Sequence, residues 1–307
     1  MKRSIFILSV ATLLMTGCDN ENDFAQYNPN EIRVEASVKQ TRASATSFEI
    51  GDKMGLYAVE YNGDEVASLQ VAGNFINNEA LTYNGSAWVG ARTLYWSENP
   101  CDFYAIYPYQ EPKSIDTYLF DIATDQSTPE TEDALSGYEA SDLMWAKATK
   151  VSREDGAVQL AFKHMMSRVV VKIERGPKYE GELPEDIAVH IYNTVTTAEV
   201  DFTHGSLQRY AHGEKNTITM KQLSGDTFAA IVVPQNIERR TPLVEITMSG
   251  IAYLLNYSMS FRPGYQHTIT ITLNSSPEQE KMKFRLMARL ATGTNLHLII
   301  QQTTHEF

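Results

Sequence analysis

Cysteine is scarce in this chain: Cys18 and Cys101 are the two among 307 residues. A disulfide framework is therefore excluded as the source of stability. Basic residues are also few. Lys and Arg number 26 against 38 Asp and Glu, a formal net charge of −12, and no Lys/Arg cluster offsets it. Such a surface repels nucleic acid, so no nucleic-acid partner is expected. Motifs that carry chemistry are missing as well. None of the seven histidines (His164, His190, His204, His212, His267, His297 and His305) forms H-x-x-x-H or H-E-x-x-H, and no cysteine stands near one at ligand spacing. No G-x-S-x-G, P-loop or G-x-G-x-x-G occurs. No catalytic residue, metal ligand or cofactor is expected, and the chain does not read as an enzyme.

Long apolar runs are confined to the N-terminus. Lys2 and Arg3 precede an apolar run from Ser4 to Thr16, closed by Gly17 and Cys18 and followed by Asp19, Glu21 and Asp23. At about 13 residues the run is short of the ~20 that a spanning helix needs. Charge, apolar run, small residue and cysteine come in the order of a secretory signal that ends at a cysteine rather than at an A-x-A site. Leu14-Met15-Thr16-Gly17-Cys18 resembles a bacterial lipobox. That resemblance implies cleavage between Gly17 and Cys18 and acylation of Cys18. Two or three acyl chains, at ~0.8 kcal/mol per buried CH₂, make a stable anchor. Cys101 is then left alone. The acidic cluster after Cys18 resembles the surface-export signal of some outer-membrane lipoproteins, so the expected location is the outer membrane, at the cell surface.

The remaining sequence can build a core, with 43% hydrophobic and 10% aromatic residues. No sustained 3.6-residue period occurs before residue 275. Segments such as Ile32 to Val38, Val158 to Phe162 and Thr268 to Leu273 alternate apolar and polar residues, and turn signals such as Asn84-Gly85 and Pro263-Gly264 fall between such segments. This predicts an all-β, antiparallel, sandwich-like fold. The expected division is a signal peptide over 1–17, a spacer over 18–31, one unit over 32–155, a second over 156–274, and an atypical tail over 275–307. The acidic, Pro/Ser/Thr-rich stretch Ala123 to Ser141 is expected to be mobile and exposed, with Glu130, Glu132 and Asp133 as a solvated face. Cys101 reads as a buried, inert thiol. His204 and His212, with Asp201 nearby, read as a surface turn, and Asp52 as a turn residue. Tyr95-Trp96 and Phe103 to Tyr109 read as core and strand-edge aromatics; a carbohydrate-stacking platform is the competing reading.

A family resemblance emerges from the spacing of several segments. Thr41-Arg42-Ala43, followed by Ser47-Phe48-Glu49-Ile50-Gly51-Asp52-Lys53-Met54-Gly55-Leu56-Tyr57, resembles the start of fimbrillins, the type V pilin-like proteins. So do Asp102-Phe103-Tyr104-Ala105-Ile106-Tyr107-Pro108, the run Val158 to Ile173, and Phe261-Arg262-Pro263-Gly264 leading to Leu273-Asn274, each in the family's order. The resemblance implies two tandem antiparallel β-sandwich (transthyretin-like) domains in a lipidated precursor. It also implies a structural role in a surface fimbria that supports adhesion. Its partners would be other fimbrial subunits that donate a β-strand, the outer membrane through the lipid on Cys18, and host or bacterial surface ligands. In such pilins a protease cuts after an arginine and removes the first strand; Arg42 is the matching residue here. The alternative from a different class is a surface lipoprotein that binds glycans through an aromatic β-sandwich face.

The tail departs from this pattern. From Lys281 to Asn295 it is basic and does not alternate. Codons permitted for these residues, read from each third base, can spell N-E-I-(P/S)-I-N-G-E-I-G-D-W-N and then a stop, the alternating close expected of the family. A frameshift after about residue 281 follows as an expectation, with loss of the last strand. Sequencing the genomic DNA across Glu280 to Asn295 tests it: codons able to spell that strand are expected, and codons that cannot would exclude the shift.

Overall fold

The computed structural model describes residues 28–39, 47–132, 134–238, 240–282 and 298–306, the last as a backbone strand. Gly17, Cys18 and Arg42 lie outside the described residues. In chain order the strands are β1 (Val34–Val38), β2 (Lys53–Asn62), β3 (Glu65–Val66), β4 (Ile76–Tyr83), β5 (Trp88–Gly90), β6 (Cys101–Tyr107) and β7 (Tyr118–Asp121). After the short helix α1 (Gly137–Ala140) come β8 (Met144–Val151), β9 (Val158–His164), β10 (Ser167–Arg175), β11 (Ala188–Val195), β12 (Thr197–Asp201) and β13 (Ser206–Arg209). Then follow β14 (Lys215–Thr219), β15 (Lys221–Ser224), β16 (Thr227–Val232), β17 (Asn236–Ile237), β18 (Pro242–Met248), β19 (Ile251–Asn256), β20 (Met259–Ser260), β21 (Tyr265–Leu273) and β22 (Leu298–Glu306). The chain is all-β, as its alternating segments predict.

An eight-stranded sheet runs β1-β9-β8-β6-β2-β4-β5, with β3 on β2. A five-stranded sheet runs β15-β16-β10-β21-β22, a four-stranded one β14-β11-β18-β19, and a three-stranded one β13-β12-β7. Most pairs are antiparallel. Two are parallel, β1 with β9 and β10 with β21, a departure from the expected all-antiparallel layers. Alternation along one strand shows which residues face the core but carries no information about the direction of its neighbour. β9, placed by sequence at the opening of a second unit, lies in the first sheet between β8 and β1. The chain leaves that sheet at Met165-Met166 and enters β10.

β2 and β6 form the centre of the first sheet, and both their faces are dry. Met54, Leu56, Ala58, Phe103 and Ala105 enter one apolar cluster with Ile32, Val34 and Phe162. Tyr57, Val59, Tyr104 and Ile106 enter a second, with Phe120, Leu143 and the core of β10, β11 and β16. Every residue of β6 is buried, which accounts for its continuous apolar run. Its aromatic rings are core, so β6 presents no stacking platform to solvent. Asp102 is the polar exception, 2% exposed. It accepts from the Tyr61 hydroxyl at 3.0 Å and the Lys150 amide at 2.9 Å, and pairs with the Lys147 ammonium at 3.0 Å. Those partners make the buried carboxylate tolerable.

One sequence expectation meets a different outcome, and the tail adds a strand. The stretch Ala123 to Ser141 is tied down rather than loose. Gln126 is fully buried, and its side-chain amide both donates to the Ile231 carbonyl and accepts from the Ile231 amide, each at 2.7 Å. Ser136 and Ser141 are buried too, while residues 127–132, including Glu130 and Glu132, are exposed. The tail also carries a strand that alternation did not announce. β22 pairs antiparallel with all nine residues of β21, from Tyr265 opposite Glu306 to Leu273 opposite Leu298. Residues 283–297, where the frameshift was expected, lie outside the described residues.

Two predictions follow from buried polar groups. Asp102→Ala strands the Lys147 ammonium and two donors, and should cost roughly 2–4 kcal/mol; an unchanged urea midpoint would show that this network is not structural. His267, 2% exposed on β21, is held down at about 4 by burial and by Arg262. The unfolded chain then binds its proton near pH 6.5 and the folded chain only near 4. His267 therefore subtracts stability progressively as pH falls from 6.5 to 4. Replacing it with Asn should flatten that part of a thermal-unfolding profile against pH, and a parallel profile would refute the assignment.

Candidate interaction site at the first strand

The sequence places one removable-looking element before Arg42, and the structure shows how it is seated. Val34 is 6% exposed and Ile32 9%, both in the first apolar cluster, with Ala36 and Val38 packed against its edge. Glu35 and Ser37 alternate with them on the other side. Period-two alternation therefore puts four apolar side chains on one face of one short segment.

Backbone bonds hold this segment from two directions. Residues 34–38 pair in parallel with β9, from Val34 opposite Val158 to Val38 opposite Phe162. The Val158 amide donates to the Arg33 carbonyl and the Lys39 amide to the Phe162 carbonyl, both at 2.8 Å. Just upstream the segment changes partner. The Ile32 amide donates to the Leu94 carbonyl and the Trp96 amide to the Asn30 carbonyl, both at 2.9 Å. Side chains add the Gln159 amide donating to Glu35 at 2.8 Å and Arg153 donating to the Asn30 side chain at 3.0 Å. Beside it an open cleft of about 480 Å³ separates the 31–35 backbone from the 86–94 segment. Beyond these contacts, and among the described residues, β1 is an edge with a single strand neighbour.

The chain returns at Phe48, on the far side of 40–46. Its ring meets Trp88, Tyr107 and Phe162 edge-on at 4.9, 5.4 and 5.5 Å. Phe48 therefore anchors the start of the following segment independently of β1. The Gly51-Asp52 pair shapes the turn that comes next. Gly51 has φ +101°, which favours glycine. Asp52 accepts from the Glu49 amide and from the Tyr107 hydroxyl, each at 2.7 Å. Burial, and then the Asp52 carboxylate, push the Tyr107 phenol well above its usual range. Asp52 is thus more than a turn residue. At the downstream end of β1, Lys163 has its ammonium 4.7 Å over the Trp145 ring, and burial and then Lys39 hold its pKa below the usual lysine range.

The other sequence candidates do not assemble into a reacting centre. Cys101 is fully buried, and burial followed by the Glu60 and Asp102 carboxylates pushes its thiol up to about 12. A group of that pKa is a thiol at neutral pH. His204 meets Asp201 at 2.7 Å on an exposed turn, as expected, and His164 meets Asp142 at 2.9 Å in the interior. Among the described residues no three His, Cys, Asp or Glu side chains are grouped to hold a metal. Trp96 turns its ring edge-on to Phe103 at 5.7 Å, leaving Tyr95 as the exposed member of that pair. Sequence reasoning met Phe48 only as part of the fimbrillin-like segment and gave it no anchoring role, and it did not single out Gln126, which in an acidic loop gave no signal.

Comparison with known proteins agrees with this geometry. A curated protein of Bacteroides ovatus described as a fimbrium tip subunit, Fim1C, is 34% identical over 145 residues. That match takes in 42% of this chain and 24% of that protein's length, so this chain spans about a quarter of it. A crystal structure from Bacteroides uniformis, described as a cell adhesion protein, superposes with a TM-score of 0.64 at 20% identity, over 92% of this chain and 99% of that one. Another so described, from Bacteroides ovatus, gives 0.66 at 17% identity, over 90% and 97%. At these identities the two structures show a shared fold. The family described as fimbrillin-like matches residues 41–286, from Thr41-Arg42 through the close of β21 and beyond, and the chain belongs to that fimbrillin-like family.

Proposed function

We propose that this protein is a structural subunit of a cell-surface fimbria that supports adhesion, assembled by strand exchange once its first strand is removed. The seating of β1 is the observation that carries the reading. It is an edge strand, so its departure breaks the β9 ladder and the few bonds that residues 30–32 make to 94–96. Its parallel pairing with β9 means that no tight hairpin joins the two. Phe48 holds the next segment in place without it.

Removal would uncover the outer edge of β9 and the apolar slots of Ile32 and Val34. Unpaired backbone groups and an empty apolar slot are both costly in water until a strand fills them. A segment with apolar residues at alternate positions, contributed by another subunit, satisfies both at once. Under this reading Cys18 carries the lipid that tethers the precursor to the outer membrane. Cleavage after Arg42 then releases the lipid and β1 together. The curated tip-subunit relative supports a fimbrial setting.

Intact mass of protein recovered from surface fibres tests the reading. The expected N-terminus is Ala43, and Arg42→Ala should leave acylated Cys18 in place and abolish the fibres. Assembled fibres that retain acylated Cys18 would defeat the cleavage step.

A further inference from the structure

Grouped apolar side chains on a surface mark a contact site more often than scattered ones do, and here three rise from one short connection. Val66, Val71 and Phe75 are 38%, 40% and 36% exposed, on β3 and on the 67–75 segment that leads to β4. The segment is firmly held. Leu69, 5% exposed, anchors it in the core that contains Tyr57 and Val59. The Asn74 side chain accepts from the Gln70 amide at 2.9 Å and donates to the Gln70 carbonyl at 2.7 Å. The Asn77 side chain accepts from the Asn74 amide at 2.8 Å and donates to the Asn74 carbonyl at 3.1 Å. From Val66 to Asn78 there is no charged residue, in a chain of net charge −12. This loop spends polar side chains on its own shape and turns apolar ones outward, the reverse of a merely solvated loop.

An open cleft of about 510 Å³ lies against the loop, with Tyr61, Asn62, Ser68, Gln70, Phe75 and Asn99 on its walls. A second hollow of about 380 Å³, walled by Trp96 and Ser152, meets it at Asn99. Among the described residues the side-chain amides of Asn62, Gln70 and Asn99 bond no other group of the chain. Nearby charges are engaged: Lys150 pairs with Asp64 at 3.0 Å, Glu60 accepts from the Ser97 hydroxyl, and Arg153 pairs with Glu154 at 3.6 Å. We propose that this cleft binds a neutral oligosaccharide, with Phe75 and Tyr61 against the C–H face of one sugar ring and Asn62, Gln70 and Asn99 on its hydroxyls. A sugar ring combines an apolar face with hydroxyls that each donate and accept. Aromatic rings match the first, and planar amides, with N–H₂ and C=O side by side, match the second. A purely apolar partner would bury those amides unpaired, which is costly. An anionic one would meet a strongly acidic chain and the unpaired Glu98 on the rim of the second hollow. Two hollows that share one amide suit two successive rings. The aromatic residues that carry the site are thus outside β6, whose rings are core. The site gives a ligand class to the adhesion in the reading above and rests on that reading for its surface setting alone.

The purified full chain, passed over immobilised short oligosaccharides of neutral hexose and N-acetylhexosamine rings, tests this, with sialylated and sulfated versions alongside. The expected result is retention of at least one neutral member in preference to its acidic versions. Titration calorimetry with that sugar free in solution should show the dissociation constant of Phe75→Ala/Gln70→Ala raised roughly tenfold. Both side chains are exposed, so thermal unfolding should match that of the parent chain. Asn62→Asp, close in shape and also exposed, should weaken binding in the same direction, and Leu254→Ala, 49% exposed on β19, should leave it unchanged. Retention of no neutral member, a preference for the acidic versions, or unchanged binding in the double variant would each overturn the proposal. The assay needs neither cleavage after Arg42 nor fibres, so its failure leaves strand exchange standing, and fibres that keep acylated Cys18 leave this site standing.

Discussion

A strand pair that is apolar on both faces needs two separate covers, and the fold is arranged around that need. β2 and β6 send Met54, Leu56, Phe103 and Ala105 one way and Tyr57, Val59, Tyr104 and Ile106 the other. Burying both sets contributes on the order of 1.5–3 kcal/mol for each large side chain. The second face is covered by Phe120, Leu143 and the long core of β10, β11 and β16. The segment 115–143 therefore cannot be a free loop, however polar its composition. Gln126 secures it by offering its side-chain amide to Ile231 much as a neighbouring peptide group would.

The first face has a different kind of cover. Part of it comes from Ile32 and Val34, which belong to a peripheral segment with one ladder and a few upstream bonds. The two faces of one sheet thus differ in permanence. One is sealed by elements woven into the five-, four- and three-stranded sheets. The other is sealed in part by an edge strand. Under the proposed strand exchange, that asymmetry would let a single chain be stable as a precursor and still hold a latent docking surface in its core.

Much of this was legible in the residues. Alternation located β1, β9 and β21, while Phe103-Tyr104-Ala105-Ile106-Tyr107, read as core and strand-edge aromatics, proves buried on both faces. Arg42, which the fimbrillin resemblance singles out, lies outside the described residues. Partner choice was not legible, because the same alternation suits a parallel or an antiparallel neighbour; the place of β9 between β8 and β1 was accordingly hidden. Asp102 and Gln126 were missed as structural residues because polar residues normally signal surface, and only the position of distant partners reveals otherwise.

The parallel pairing of β1 with β9 also orders events in time. Glu35 and Gln159 stand 124 residues apart in the chain. During synthesis β1 emerges early, yet its ladder partner is not available until most of the first sheet has followed. Contacts of such long range form only after a large loop has been closed, and they form slowly. A strand made so early is thus among the last to be seated, and it docks onto a sheet whose centre has already been built.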